Sequence, residues 1–484
     1  MRSAWLPGLL LLVALGQGCD RNSNIGNPKD GLVDGKPDSA LPREASADIR
    51  RSDGTARVGW AVSAGGAGYD DVWNLVVDGS GNIIIAGQIG NLASFGPHQI
   101  TSAKGTGNFV AKLDGNGSFL WATPLDGGFD STWSGLAVDA TGNVFFGGFF
   151  TGTAVFGAVT LVSQGDKDGF VAKLDPDGKL LWAKAVAAGP GWDAVNSLAV
   201  AADGKITIAG HFAGTATVGG TSLTARDKES LFVARLDATG SLLWVSPVAS
   251  DDYGATRDVA RVLVDGAGNS VVAGTAGPNA SFDALSAAGK AGSPTAFVAK
   301  VDPAGAFLWV TPLVESLADG PLGIDAAGNI FVGSTYRVPW PGTWNGVGQG
   351  TIRKLDASGA LQWTRMIPGD GTTHINALRA ESTGSVTFAG FVKGTGLFGS
   401  TVLQSKTANS DGYVARLDPS GNVVHAELVG SGAISAVVAL ARDASGDLYL
   451  GGAYTGGAFT AGSAVLPARG NWDIYVWNKG PEPY

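Results

Sequence analysis

The chain of 484 residues has a net charge of −9, and its 33 Lys and Arg are dispersed, so it lacks the clustered cations that nucleic acid or an anionic membrane surface would need. Only 15% of residues are charged and 14 are Trp, a composition of apolar and aromatic strands rather than of solvated helices or disorder. Its 75 glycines stand mostly singly at regular intervals, as turn residues do.

In chain order, Arg2 and the apolar run Leu6 to Leu15 read as an export signal, too short to span a bilayer. Gly16, Gln17 and Gly18 lead into Cys19, the one cysteine, and this junction resembles a bacterial lipobox. The resemblance implies acylation of Cys19 and a membrane contact made only through that lipid anchor. Leu15 stands four residues before Cys19 where a lipobox has Leu three before, so plain secretion after a small residue is the alternative. Residues 1–19 are thus assigned to a leader, and 20–55, rich in Asp, Asn and Pro without periodicity, to a flexible polar tether. With Cys19 used or removed, neither a disulfide nor a thiol nucleophile is left.

Residues 56–484 repeat themselves. Trp60, Trp121, Trp182, Trp244, Trp309 and Trp363 recur at a period of about 60, with His425 in the seventh place. Each unit has four strand-like segments, A to D, clearest in the second around Leu136, Val144, Gly169 and Leu180. A and B are joined by Asp-x-x-Gly-Asn, as from Asp78 to Asn82; C and D are joined by Asp-x-x-Gly, as at Asp114/Gly117 and Asp175/Gly178. Asp accepts backbone N–H groups in such a turn and Gly takes its positive φ. Ala201 and Glu381 replace the A–B Asp in two repeats, and the fifth repeat is short.

Segments B, such as Ile83 to Ile85 and Val144 to Phe146, are apolar on consecutive residues, so both faces must be covered. Pro124, Pro247 and Pro312 in segment D place it at a sheet edge. The prediction is an all-β fold: a seven-bladed β-propeller of four-stranded antiparallel blades. Because the repeats begin with a D segment (Val58 to Ser63) and end with a C segment (Asp473 to Trp477), the N-terminal outer strand should close the ring on the C-terminal blade.

The motifs Val-x-Asp-x-x-Gly-Asn and Asp-x-Phe-Val-Ala-Lys-Leu-Asp-x-x-Gly-x-x-x-Trp resemble the bacterial seven-bladed β-propeller repeat family (SBBP type), abundant in myxobacterial envelope and lipoprotein sequences. The resemblance covers nearly all of 56–484 and implies a fold and an envelope location but no common activity. The Leu-Asp-x-x-Gly-x-x-x-Trp hairpin also resembles the tryptophan-docking motif of quinoprotein-type propellers, which locks blades together without touching cofactor.

Little points to catalysis. His98, His211, His374 and His425 are scattered without metal-ligand spacing, no nucleophile elbow occurs, and the Asp turns lack the downstream acid of a calcium loop, so no metal and no cofactor is assigned. Divergence between repeats concentrates in the D-to-A connections, which share one face with the B-to-C segments. Tyr69, Asp70, Asp71 and Trp73 lie there, with Asp130 and Trp133, Trp192 and Asp193, Tyr253, and His374. Trp340 and Trp344 occupy the irregular B-to-C segment of the fifth repeat. Aromatic faces beside carboxylates suit sugars or cationic groups. The same rings could simply pack the mouths of neighbouring blades. The reading is an envelope-anchored, monomeric binding or scaffolding module for a carbohydrate, peptide or envelope protein. The alternatives are a polysaccharide hydrolase or lyase using acids such as Asp71, Asp130 and Asp193, and a structural spacer.

Overall fold

The computed structural model describes Ala47–Arg50 and residues 56–481, apart from 103–104, 130–134, 252–260, 278, 289–294, 314–319, 338–347, 407–408 and 431–433. Cys19 and the leader lie outside the described residues. Within the stretch read as a tether, Ala47–Arg50 forms a strand antiparallel to Ala56, Arg57, Val58 and Gly59.

The described secondary structure is all strand, as expected, and the A–B–C–D order recurs along the chain. In the fourth repeat Arg261–Val264, Ser270–Ala276, Thr295–Val301 and Phe307–Leu313 pair in that order, each antiparallel to the next. The sixth repeats the pattern with Thr372–Ala380, Val386–Lys393, Ser410–Leu417 and Val423–Val429. Pro124, Pro247 and Pro312 each sit opposite a C-strand Phe, on the strand where a missing N–H costs no ladder bond. The last sheet draws on both ends of the domain. Ile434–Arg442, Asp447–Thr455 and Asp473–Pro481 are joined by Ala56–Ala64, with Ala61 opposite Trp477 and Ser63 opposite Tyr475.

Buried clusters are shared between consecutive sheets, which explains the consecutive apolar residues of the B strands. Ile84 packs with Leu136 and Val144 of the second repeat, while its neighbours Ile83 and Ile85 face Tyr449, Ile474 and Val476 of the last. Phe145 and Val171 likewise turn towards Val195 and Ile206 of the third. A hairpin between B and C adds a second tie. The B strands Val144–Phe156 and Ile206–Val218 run on until Val155 lies opposite Asp126, and Val218 opposite Ala187, of the preceding D strand. At three of the B-to-C hairpin corners a Phe sinks onto an aromatic of its own C strand: Phe95 on Phe109 at 4.6 Å, Phe282 on Phe297 at 4.7 Å and Phe398 on Tyr413 at 4.8 Å between ring centroids.

The A–B and C–D turns form one edge of the sheets. Asp78 Oδ1 accepts the amides of Ser80 and Asn82, both at 2.9 Å, while Oδ2 accepts Asn82 Nδ2 at 2.8 Å and pairs with Lys112 Nζ at 3.0 Å. Asp265 repeats this with Asn269 and Lys300. Where Ala201 replaces the Asp, the turn keeps its backbone bonds, Asp203 Oδ1 accepts the amide of Lys205 at 3.1 Å, and the C-strand cation, Arg235, reaches the carbonyl of Gly268 in the next repeat. Where Glu381 replaces it, the carboxylate pairs with Arg442 of the following sheet at 3.1 Å.

On the same edge each D-strand Trp covers the C–D turn of the next repeat. Trp60 Nε1 donates to Gly115 O and Trp121 Nε1 to Pro176 O, and a Cβ on Gly117 or Gly178 would come within 2.7 Å of those rings. The last sheet has no C–D turn, because its C and D strands come from opposite ends of the domain. The residue in the Trp position is His425, whose Nε2 lies 3.4 Å from Glu427, and Glu427 also pairs with Lys479 of the last C strand.

Candidate functional site

At the opposite edge lie the D-to-A connections and the starts of the B-to-C segments, held together by one recurring latch. Asp70 Oδ1 accepts the amide of Gly90 at 2.8 Å, Asp193 Oδ1 that of Ala213 at 2.9 Å, and Asp370 Oδ1 that of Thr395 at 3.0 Å. At the junction of the third and fourth repeats the acceptor is a hydroxyl: Gly277 N donates to Ser250 Oγ at 2.7 Å. Asp70 and Asp193 are fully buried. Their carboxylates therefore face backbone amides inside the connections and present no charge to a ligand on the surface.

Each of these two latches meets a second buried carboxylate from the start of a neighbouring C strand. A Cβ placed on Gly65 would lie 2.8 Å from Asp70 Oδ2 and 3.0 Å from Asp473 Oδ1, so both oxygens flank one glycine. Asp473 Oδ2 accepts the amides of Arg469 and Gly470. In the other copy Asp168 Oδ2 accepts Gln164 N at 2.8 Å, and Asp193 Oδ2 is buried without a hydrogen-bond partner. Burial raises all four carboxyl pKa values above the ordinary range, against the backbone hydrogen bonds that oppose it. For Asp193, burial together with the repulsion of Asp168 lifts the value to about 6.

The aromatic residues remain half-buried at the same edge. Tyr69 lies 6.0 Å from Trp472 between ring centroids, with its hydroxyl 3.5 Å from Asp71. Trp73 is the extra residue of a bulge, since the pairing of the first A strand slips between Val72 and Asn74. Trp192 packs edge-on against Phe149 and His211, each at 5.7 Å, and Lys167 Nζ sits 4.0 Å from the centre of its indole. His374 stacks on Phe391 at 5.2 Å, and its Nδ1 is 2.7 Å from Asn376 Oδ1. Asp130, Trp133, Tyr253, Trp340 and Trp344 lie outside the described residues.

Tyr69 and Trp192 occupy equivalent places. Each makes a parallel bridge to the residue before a C-strand Asp, Tyr69 to Trp472 and Trp192 to Lys167. Sequence reasoning passed over Trp472, Lys167, Asp168 and Asp473. The signal was present in the repeated Asp that opens the C-strand motif Asp-x-Phe-Val-Ala-Lys-Leu-Asp. Among the described residues no group of three or more His, Cys, Asp or Glu is arranged to hold a metal ion.

No protein-family model matches the chain. An uncharacterized WD repeat-containing protein of Acanthamoeba polyphaga mimivirus is 26% identical over 230 residues, which are 40% of this chain and 16% of that protein. The chain thus spans about a sixth of that relative's length. Among solved structures, an ulvan lyase from a polysaccharide lyase family is similar at 11% identity and TM-score 0.49, over 87% of this chain and 97% of that one. The WD40 domain of Neurospora crassa Pan2 is similar at 11% identity and TM-score 0.44, over 86% and 90%. The β-propeller domain of the Trilobed protease from Pyrococcus furiosus is similar at 9% and 0.42, over 85% and 94%.

Proposed function

We propose that the chain is a seven-bladed β-propeller of the SBBP type, exported and held at the bacterial envelope through an acylated Cys19, whose D-to-A face binds a carbohydrate, peptide or protein partner. The seven-fold count is supported by the D segments at Trp60, Trp121, Trp182, Trp244, Trp309, Trp363 and His425. Ring closure is supported by the pairing of Ala56–Ala64 with Asp473–Pro481 and by the packing of the first sheet against the last.

The observation that carries the binding reading is the contrast at that edge. The acids Asp70 and Asp193 are folded inward as latches, whereas Tyr69, Trp73, Trp192 and His374 keep part of their rings at the surface. Such rings can stack on a sugar or a planar side chain, and Lys167 stands over that of Trp192. Two carboxylates enclosed among backbone amides cannot reach a glycosidic bond, so the geometry favours binding over hydrolysis by Asp193.

Capture from the native envelope and from a glycan array, using the full chain, tests this. Replacing both Trp73 and Trp192 with Ala should weaken retention roughly tenfold or more. Unchanged retention by a variant that still melts cooperatively would leave the face without a binding role. Separately, Cys19→Ser should move the protein from the membrane to the soluble fraction, and unchanged partition would remove the anchor.

A further inference from the structure

We infer that Asp168 and Asp193 form a proton-sharing pair that makes the junction between the second and third repeats sensitive to pH, firm when a proton lies between them and loosened when it leaves. The inference rests on the junction's geometry and not on the binding reading.

The pair joins three pieces of chain. Asp168 opens the C strand Asp168–Leu174, Asp193 ends the connection to the next A strand, and Asp193 Oδ1 holds Ala213 at the corner of the next B strand. Both carboxylates are fully buried. Gly189 lies beside both: its amide lowers the Asp168 pKa, and a Cβ on Gly189 would lie 3.0 Å from Asp193 Oδ2, so the two groups flank one glycine. With both ionised, two like charges are enclosed with too few donors, and Asp193 Oδ2 accepts nothing. A single proton taken from solvent removes one charge and supplies the missing donor.

The molecule carries its own control. The equivalent pair Asp70 and Asp473 flanks Gly65 in the same way, but Arg469, four residues before Asp473, lowers the pKa of both through its charge. Gln164 holds the corresponding position before Asp168, each residue giving its backbone amide to the Asp four places on. The second copy therefore keeps the amide and lacks the cation. The other titratable groups around it do not replace Arg469. Lys167 directs its ammonium at Trp192 and Phe149, at 4.0 and 4.6 Å from the ring centres. His211 turns Nδ1 to Asn196, Glu229 lies opposite Ala213 on the far side of the hairpin, and Asp166 is exposed. At the next junction Ser250 performs the same latch without charge, so the fold does not require an ionised group here.

The sign follows from a folded pKa near 6 against 3.8 for an ordinary Asp. The stabilisation is complete below pH 3.8 and is lost as pH rises through about 6. The test is thermal unfolding of the full chain between pH 5 and 8 for wild type, Asp193→Asn, Asp193→Ser, Asp168→Asn and Asp70→Asn. The folding constant attributable to the pair should fall roughly tenfold between about pH 5 and 8, the part of its titration inside that window. Asp193→Asn and Asp168→Asn should flatten that slope and match or exceed wild-type stability at pH 7.5, with Asp70→Asn changing the slope less. Asp193→Ser supplies the comparison should Asn fail to fold. Retention of the full wild-type slope in the Asp193 variants, or a slope equally sensitive to Asp70→Asn, would overturn the proposal.

Discussion

The two edges of the sheets use the same residue in opposite electrostatic states. At the turn edge Asp78 receives two backbone amides, the Asn82 side chain and Lys112; burial works against ionisation, but these partners outweigh it and hold the pKa below the ordinary value. Asp139 and Asp265 behave alike. At the connection edge Asp193 receives one amide, faces Asp168, and is pushed up. Donor supply decides the difference: a repeated hairpin delivers its amide and Asn donors within four residues and a Lys from the paired C strand, whereas a connection that varies between repeats must find its donors farther along the chain.

The largest expected effect breaks the turn edge. Asp78→Ala leaves Lys112 buried without its carboxylate and should cost about 3–5 kcal/mol in urea unfolding at pH 7; a cost near zero would mean the pair is not enclosed as described. Next comes Gly178→Ala, where φ is +81° and the Trp121 ring occupies the space. Roughly 1–3 kcal/mol should be lost, read as a lower Tm, and an unchanged Tm would remove the docking contact.

Acid sharpens the contrast further. For Asp78, Asp139 and Asp265 the folded pKa lies below 3.8, so their stabilisation is present above that pH and is lost as pH falls through the folded value. Acid unfolding should therefore begin below about pH 5 and shift to higher pH in Asp265→Asn. The smallest effect belongs to Asp356→Asn, at a partly exposed turn, whose Tm should match wild type within scatter.

Much of the turn edge was legible in the sequence, because a motif repeated with its Asp, Gly, Asn and Lys in register states its own hydrogen bonds. The outer D strand followed from Pro124, Pro247 and Pro312, and the pairing of Ala56–Ala64 with Asp473–Pro481 from a count of strand types. The connection edge was read only in part. An aromatic beside an acid, as in Trp192 and Asp193, suggests a surface site, yet the acid turns inward because the amide of Ala213, twenty residues on, needs an acceptor. Nothing local in the sequence marks that need. The pairing of Asp193 with Asp168 is equally non-local, since it depends on how one connection lies over the start of the neighbouring C strand.

The most direct test of the contrast is an infrared titration of the carboxylic acid carbonyl band in wild type and Asp193→Asn. The account predicts that a protonated-carboxyl band grows in as pH falls from 7 towards 5, around the value of about 6 for Asp193, and is missing from the variant. The turn carboxylates should contribute only below their ordinary 3.8. A band that appears in wild type only below about pH 4, with no component lost in Asp193→Asn, would contradict it.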